Sequence, residues 1–348
     1  MLLANTSTSQ SFPKTRFALS LLAVMSFTFL LLSVSTSKPL LHSVIEADQQ
    51  EFQKFVSEFG KSYSDSVYST RFQAFRDNSV FIKKFNSEQN SVVLGINKFA
   101  DMTFAEFKSI YLRPKTLAPK PEAQESELEN FEALPSTVDW RTQNVLTPVK
   151  DQGHCGSCWA FSSTGAMEAA WAIKNSVVVS LSEQQLVACS GAYGNYGCDG
   201  GYAVAGFQYV IGNKGINTEA NYPYLAVDSK CNTTLANVHE VTISKAGSVQ
   251  AYNYMALQAS VVSQPVSTGV EANIMWQLYQ SGTLTSNCGV DINHDVLAVG
   301  YNTEGTIPYW IVKNSWGTDW GISGFIQIGM SAGSGVCGIN MDAYYPIV

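Results

Sequence analysis

Charge is scarce in this chain. Only 14% of its 348 residues are Asp, Glu, Lys or Arg, and histidine occurs four times, at 42, 154, 239 and 294. Residues 134–348 carry 7 basic and 14 acidic side chains, so the net charge of −7 lies wholly there. No basic stripe exists to follow a phosphate backbone, which argues against nucleic acid as partner. Cysteine is absent before Cys155, so no disulfide framework or thiolate metal site can form in the first part. His154, Cys155 and Cys158 lack a second Cys or His cluster at ligand spacing, which leaves no metal site and implies no cofactor. Apart from Phe17–Val34, no apolar run is long enough to cross a bilayer, and no internal repeat is present.

Lys14 and Arg16 precede that run, and Ser33, Ser35 and Ser37 follow or close it. A basic start, an apolar centre and a small-residue exit read as a secretory signal peptide over residues 1–37, with a retained signal anchor as the alternative. A secreted chain with seven cysteines pairs six and leaves one over.

Residues 38–116 hold aromatics at helical spacing: Phe52, Phe55 and Phe59, then Phe72, Phe75, Ile82 and Phe85. Helices are expected over Glu51–Phe59 and Tyr68–Phe85. Residues 117–133, rich in Pro and Glu, read as a solvated acidic linker open to proteolysis. A helical module joined through a cleavable linker to a cysteine-rich domain suggests a zymogen.

Residues 134–348 begin with helical pattern over Cys158–Ile173, Ser182–Leu186 and Tyr202–Val210. From Val238 onward the runs are of β type: Val266–Val270, Val296–Tyr301, Tyr309–Lys313 and Phe325–Ile328. A helical half followed by a β half implies two lobes with a cleft between them.

QGHCGSCWAF, Gln152 to Phe161, places Cys158 at the start of a helical run, where the macrodipole favours thiolate. His294 heads an apolar run in INHDVLAVGY, and Asn314 stands before Trp316 in WIVKNSWGTDWG. An imidazole can take the thiol proton and return it to a leaving amine while a carboxamide orients the ring. Cys155-Gly-Ser-Cys158 is also a C-x-x-C, but no βαβ surround for a thiol–disulfide oxidoreductase precedes it.

With these motifs the chain resembles the papain-family cysteine peptidases, cathepsin L-like, over nearly everything after the signal peptide. The resemblance implies an α+β fold: a papain-like two-lobed catalytic domain, one lobe helical and one β-barrel-like, preceded by a small helical prodomain. It implies Cys158 as nucleophile, His294 as general base and acid, Asn314 as orienter shielded by Trp316, and an oxyanion hole from Gln152 and the Cys158 N–H. The thiolate and imidazolium are expected to form an ion pair. Disulfides Cys155–Cys198, Cys189–Cys231 and Cys288–Cys337 come from the same resemblance, each adding roughly 3–4 kcal/mol in the chain-entropy model. Expected partners are peptide and protein substrates, the chain's own prodomain and cystatin-type inhibitors, with the enzyme a monomer. Peptide ligation on the same residues and a non-catalytic homologue remain the alternatives.

Arg71, Phe75, Asn78, Ile82 and Asn86 resemble one motif of the inhibitory prodomain, with Val67 where Glu is expected; Gly95, Asn97, Phe99 and Asp101 match a second. LPSTVDWR resembles the family's mature start, implying removal of everything before about Leu134. Residues 38–120 carry 12 basic and 9 acidic side chains, an opposite-charge match to the catalytic domain that acid would weaken, unless all are solvated surface. The resemblance assigns substrate binding to Gly200, Gly201, Tyr202, Ala203, Gly269 and Asn293, with Asp342 at the pocket floor and Trp316 nearby. Asp295 stands where a small apolar residue is usual; either the two carboxylates admit Arg or Lys, or Asp342 meets solvent or pairs with a neighbour and Asp295 faces away or makes a local turn contact. Asn232-Thr-Thr is a glycosylation sequon. The expected location is the secretory pathway, ending in a lysosome or vacuole or outside the cell.

Overall fold

The computed structural model describes residues 45–88, 90–113, 122, 124–125 and 134–348. The expected signal peptide and most of the linker lie outside the described residues. The chain forms two compact units, divided between Ser62 and Tyr63. The first contains α1, residues 45–58, along which the Phe52 and Phe55 rings lie 6.0 Å apart. No described helix is long and apolar enough to cross a membrane.

The second unit joins the rest of the helical module to the cysteine-rich domain. Helix α2 (Asp65–Ser87) buries Phe75, Asn78 and Ile82 on one face. Asn78 donates to the carbonyls of Ala100 and Met102, and Asn86 both donates to and accepts from the Leu94 backbone. Arg71 pairs with Glu106 at 2.9 Å and donates to the Asp101 carbonyl, so Val67 leaves it with an anionic partner. Strand β1 (Val92–Leu94) and helix α3 (Phe104–Tyr111) follow. Thr103-Phe-Ala-Glu106 forms a complete capping box at the start of α3, a signal that apolar periodicity alone passes over.

The remaining strands are β2 (Gln124–Glu125), β3 (Thr137–Asp139), β4 (Lys245–Ser248), β5 (Val266–Val270), β6 (Tyr279–Leu284), β7 (His294–Asn302), β8 (Tyr309–Lys313), β9 (Phe325–Gly329) and β10 (Ala343–Ile347). They form one sheet in the order β1-β6-β9-β8-β7-β5-β10-β4-β2, with β3 also on β7. Two strands from before residue 134 therefore close the two ends of the sheet. β1 runs antiparallel to β6, and β2 parallel to β4. The linker is not solvated throughout, because strand addition uses main-chain hydrogen bonds and needs no apolar side chain.

Against this sheet packs α4 (Cys158–Asn175), a helix buried along most of its length. Ser162 Oγ donates to the Val296 carbonyl at 2.6 Å, fixing α4 on β7. Helices α5 (Glu183–Cys189) and α6 (Ala203–Asn213) complete the helical lobe. Ser182 caps α5, accepting from the Gln185 N–H. Helix α7 (Thr233–Ala236) precedes the β half, which also contains α8 (Tyr254–Ser263) and α9 (Ile274–Gln277). Of these, α8 was unmarked by the β-type pattern; Asn253 caps it and buried small residues fill its length.

Where α4 meets the sheet, fully buried Glu168 accepts from Lys150 Nζ (2.8 Å), Thr147 Oγ1 (2.6 Å) and the Leu181 N–H (2.8 Å). Burial opposes its charge, but Lys150 and Lys313 hold the carboxyl below its ordinary range. Neighbouring Glu183 is pushed up to about 7 by burial. Glu168→Ala strands several buried donors, and a loss of about 3–5 kcal/mol is expected. Urea unfolding of the full chain in a Cys158→Ala background measures it; an unchanged midpoint would contradict the assignment.

Candidate active site

Cys158 is the first residue of α4 and is the free cysteine among the described residues. The turn before it is rigid. Cys155 is bonded to Cys198, and the Gly156 N–H donates to the Cys198 carbonyl at 2.9 Å. A Cβ on Gly156 would lie 2.5 Å from that carbonyl oxygen, so only glycine allows the approach. Disulfides Cys189–Cys231 and Cys288–Cys337 also form.

His294 opens β7 beside this turn. The Asp295 backbone is near enough to Cys158 to favour its thiolate, which sets the thiol near the head of the strand. His294 Nε2 is 2.8 Å from Asn314 Oδ1. Trp316 stacks on the imidazole at 4.6 Å and Trp276 meets its edge. The other ring nitrogen, Nδ1, is buried with no hydrogen-bond partner among the described residues. An imidazole held by one nitrogen with the other unengaged is arranged to carry a proton.

Gln152 is also buried. Its Oε1 accepts from Ser315 Oγ (2.7 Å) and Trp316 Nε1 (3.1 Å), which turns Nε2 the other way. Nε2 donates to the carbonyls of Cys155 (2.9 Å) and Tyr111 (3.1 Å). A carbonyl oxygen from the helical module thus sits on a carboxamide donor beside the free thiol. Phe99, Phe107 and Tyr111 cover the other side, their rings meeting Trp316 edge-on at 5.7, 5.0 and 6.4 Å. Asn97 Nδ2 donates to the Gln277 carbonyl, Gln277 Nε2 returns bonds to the carbonyls of Phe99 and Met102, and Lys98 pairs with Asp151 and Asp319.

This cover sets the charge state. Burial pushes the Cys158 thiol up to about 12, aided by the Asp295 charge, and pushes His294 down to about 4. In the covered state burial disfavours the charged form of each group. A helix N-terminus contributes at most about 2 kcal/mol, less than the several kcal/mol that burying a charge costs.

The other expected site residues divide by what they present. Gly201 packs so closely on the Trp159 ring that a Cβ would lie 2.7 Å from it, and its carbonyl accepts from Arg113 Nη1. Gly200 turns the chain with φ 111°, and Tyr202 N-caps α6, whose first residue is Ala203. Gly269 faces Asp342, whose Cβ would lie 3.1 Å from an added Cβ. Asn293 offers its backbone, since its carboxamide is tied to both polar groups of Ala272. Asp295 is buried and turned toward Arg113, contrary to the reading in which it faces away. Asn232 is exposed and its Oδ1 caps α7. Sequence reasoning passed over Arg113, Ser315 and Tyr111; Arg113 stands before Pro114 in a stretch whose local pattern marks only a loop.

A free buried cysteine heading α4 and a histidine–asparagine pair at the head of β7 are the groups a thiol peptidase uses, here with the chain's own N-terminal segment packed on Gln152 and Trp316. The chain belongs to the papain family of cysteine proteases, whose model matches residues 134–347; the cathepsin propeptide inhibitor domain (I29) matches residues 52–107. It is 40% identical to the probable cysteine protease RD21C of Arabidopsis thaliana, covering 93% of this chain and 74% of that one. To the senescence-specific cysteine protease SAG39 of Oryza sativa subsp. japonica it is 38% identical, covering 94% and 97%. Among solved structures, recombinant stem bromelain precursor is similar at TM-score 0.80 and 36% identity, over 87% of this chain and 99% of that one. The protein is a cysteine endopeptidase made as a zymogen, with its own prodomain as intramolecular inhibitor.

Proposed function

We propose that Cys158, His294, Asn314 and Gln152 carry out peptide hydrolysis. The observation that carries this reading is the Tyr111 carbonyl held by Gln152 Nε2 at 3.1 Å, where a scissile carbonyl would sit. His294 Nδ1 takes the Cys158 proton as sulfur attacks the carbonyl carbon. The oxyanion accepts from Gln152 Nε2 and the Cys158 N–H. Collapse expels the amine, which takes the proton from His294 and leaves a thioester on Cys158. Water then loses a proton to His294 and attacks the thioester; the acid leaves and the thiol is restored. Asn314 holds the ring through Nε2, and Trp316 keeps water from that bond.

Arg113, two residues after Tyr111, lies against Gly201, Asp295 and Asp342, so the prodomain engages both sides of the site. The assignment makes residues 1–37 a signal peptide, 38–116 the prodomain and 117–133 the processed linker, with a mature enzyme starting near Leu134. Export through the secretory route, to a vacuole, a lysosome or outside the cell, is supported by three disulfides and the exposed Asn232 sequon. Cystatin-type inhibitors and a monomeric enzyme complete the proposal.

Acid-matured protein is expected to hydrolyse fluorogenic Leu-Arg dipeptides and to lose at least 95% of that activity after stoichiometric alkylation by iodoacetamide. Activity that survives complete alkylation would contradict a thiol nucleophile.

A further inference from the structure

Tyr224 belongs to none of the motifs that mark the active site, yet its hydroxyl joins two parts of it. The hydroxyl donates to the Gln152 carbonyl at 2.8 Å and lies 2.6 Å from Ser157 Oγ. A phenol has one proton, and the Gln152 carbonyl takes it, so Ser157 donates to Tyr224. Gln152 carries one expected oxyanion donor, and Ser157 precedes the residue whose N–H is the other. The bridge therefore ties the positions of both donors to one hydroxyl.

Tyr224 is itself held from several sides. Its N–H donates to Glu219 Oε1 (2.8 Å), the Leu225 N–H donates to Gln184 Oε1 (2.9 Å), and the Tyr222 carbonyl accepts from Ser182 Oγ (2.6 Å). The ring meets Phe161 of α4 edge-on at 4.8 Å. Burial raises the phenol pKa, so the hydroxyl keeps its proton at any working pH. On the opposite side, the Gln152 N–H donates to the Ser315 carbonyl at 2.8 Å. The Gln152 backbone is thus gripped from both halves of the catalytic domain.

Ser157 shows what else the bridge does. It is the fully buried N-cap residue of α4, where a serine ordinarily accepts from the N–H of the second or third helical residue. Its side chain makes no such bond, and its ψ of 18° is not the extended value of a capping residue. The Ala160 N–H goes to the Ser157 carbonyl instead, at 2.8 Å. The first N–H groups of a helix have no intrahelical partner, so those of Cys158 and Trp159 stay available to the reacting atoms. The Trp159 backbone is near enough to Cys158 to favour its thiolate.

We propose that Tyr224 is a positioning residue for peptide hydrolysis: its hydroxyl sets Gln152 against the head of α4 and keeps Ser157 from capping the helix, which leaves the Cys158 and Trp159 N–H groups to the oxyanion and the thiolate. This rests on the active-site reading above.

The test uses acid-matured wild type, Tyr224→Phe, Ser157→Ala and the double variant on a Leu-Arg fluorogenic dipeptide, with rates per alkylatable thiol. Phenylalanine keeps the ring on Phe161 and the N–H on Glu219, and deletes only the bridge. A misplacement of about 1 Å costs about a hundredfold, so kcat of Tyr224→Phe should fall at least tenfold while KM stays within threefold. Its freed serine can cap α4, and the acid limb of kcat/KM should move up by at least about half a pH unit. In the double variant no hydroxyl is left to cap, so the acid limb should return to its wild-type position while kcat stays low. A merely structural tyrosine would give no such return. A Tyr224→Phe kcat within twofold of wild type, a loss carried wholly by KM, or an acid limb shared by the single and double variants would overturn the proposal. If Tyr224→Phe does not mature, Ser157→Ala decides alone: kcat should fall at least threefold with the acid limb unmoved, and a wild-type kcat would overturn it. Those outcomes sink the positioning role alone, whereas a wild type that leaves the dipeptide uncut, or cuts it after complete alkylation, would sink the active-site reading with it.

Discussion

Cys158→Ala is expected to lower peptide hydrolysis by about 10⁵-fold or more, the scale seen when a nucleophile is removed from a catalytic unit. The fold should survive the change. Cys158 has no disulfide partner, and alanine keeps its place at the head of α4. The Cys155–Cys198 bridge, the Gly156–Cys198 contact and the Gln152 bonds do not involve the deleted sulfur. Urea unfolding of the variant zymogen should match wild type within about 1 kcal/mol, and the count of free thiols should fall from one to none. Cys155→Ala separates this enzyme from a dithiol oxidoreductase. It opens a bridge spanning 43 residues and costs stability of roughly 3–4 kcal/mol, while keeping the nucleophile. Residual turnover of Cys158→Ala within a hundredfold of wild type would reject the mechanism.

The second large effect concerns the thiol under its cover. Burial pushes the Cys158 thiol up and the side chain is fully covered, so at pH 7 it presents less thiolate than an exposed cysteine and none of it to solvent. Iodoacetamide should therefore alkylate Cys158 in the zymogen at least 10³-fold more slowly than in matured enzyme, as intact-mass kinetics at pH 7 would show. Equal rates would mean that the prodomain segment does not shield the sulfur. The same burial ties engagement of the cover to pH. His294 is lowered to about 4, so the uncovered or unfolded state binds more protons between about 6.5 and 4. The covered state's advantage is full above about 6.5 and is lost as pH falls toward 4. For Cys158 the sign reverses: the buried thiol keeps its proton while an exposed one loses it, so stability falls as pH rises above the ordinary cysteine range. Cover is thus strongest near neutrality. His294→Gln in the Cys158→Ala background should flatten the acid limb of zymogen unfolding between pH 6.5 and 4; an unchanged slope would assign that limb to carboxylates instead.

Much of the fold could be read from residues whose local pattern and tertiary role agree. Val266–Val270 and Tyr309–Lys313 are strands over the same residues that alternation and β-branching picked out. Helix α4 is longer than expected by two residues, to Asn175, where Ser176 closes it in the left-handed region. What escaped depends on long-range pairing. β1 is three residues long and β2 two, and each exists because a strand of the catalytic domain waits beside it. Helix α8 hid among small residues because its face is buried against the sheet, where alanine and serine carry little periodic contrast. At the site, Cys158, His294 and Asn314 lie in motifs with their own signatures. Arg113 and Tyr111 have none, because their roles arise only from the fold that brings them to Gln152 and Asp295.

The placement of β1 and β2 at opposite ends of one sheet gives maturation a second meaning. Loss of the prodomain bares the main-chain groups of β6 at one edge and of β4 at the other, and both become templates for foreign strands. Their forms limit that hazard. β4 is only four residues and begins with exposed Lys245, while β6 holds Gly282 at φ 80° and slips register against β1 between Ser281 and Tyr279. The segment that restrains the enzyme also guards its sheet against mispairing until cleavage, and the free enzyme then relies on short, irregular borders to stay soluble.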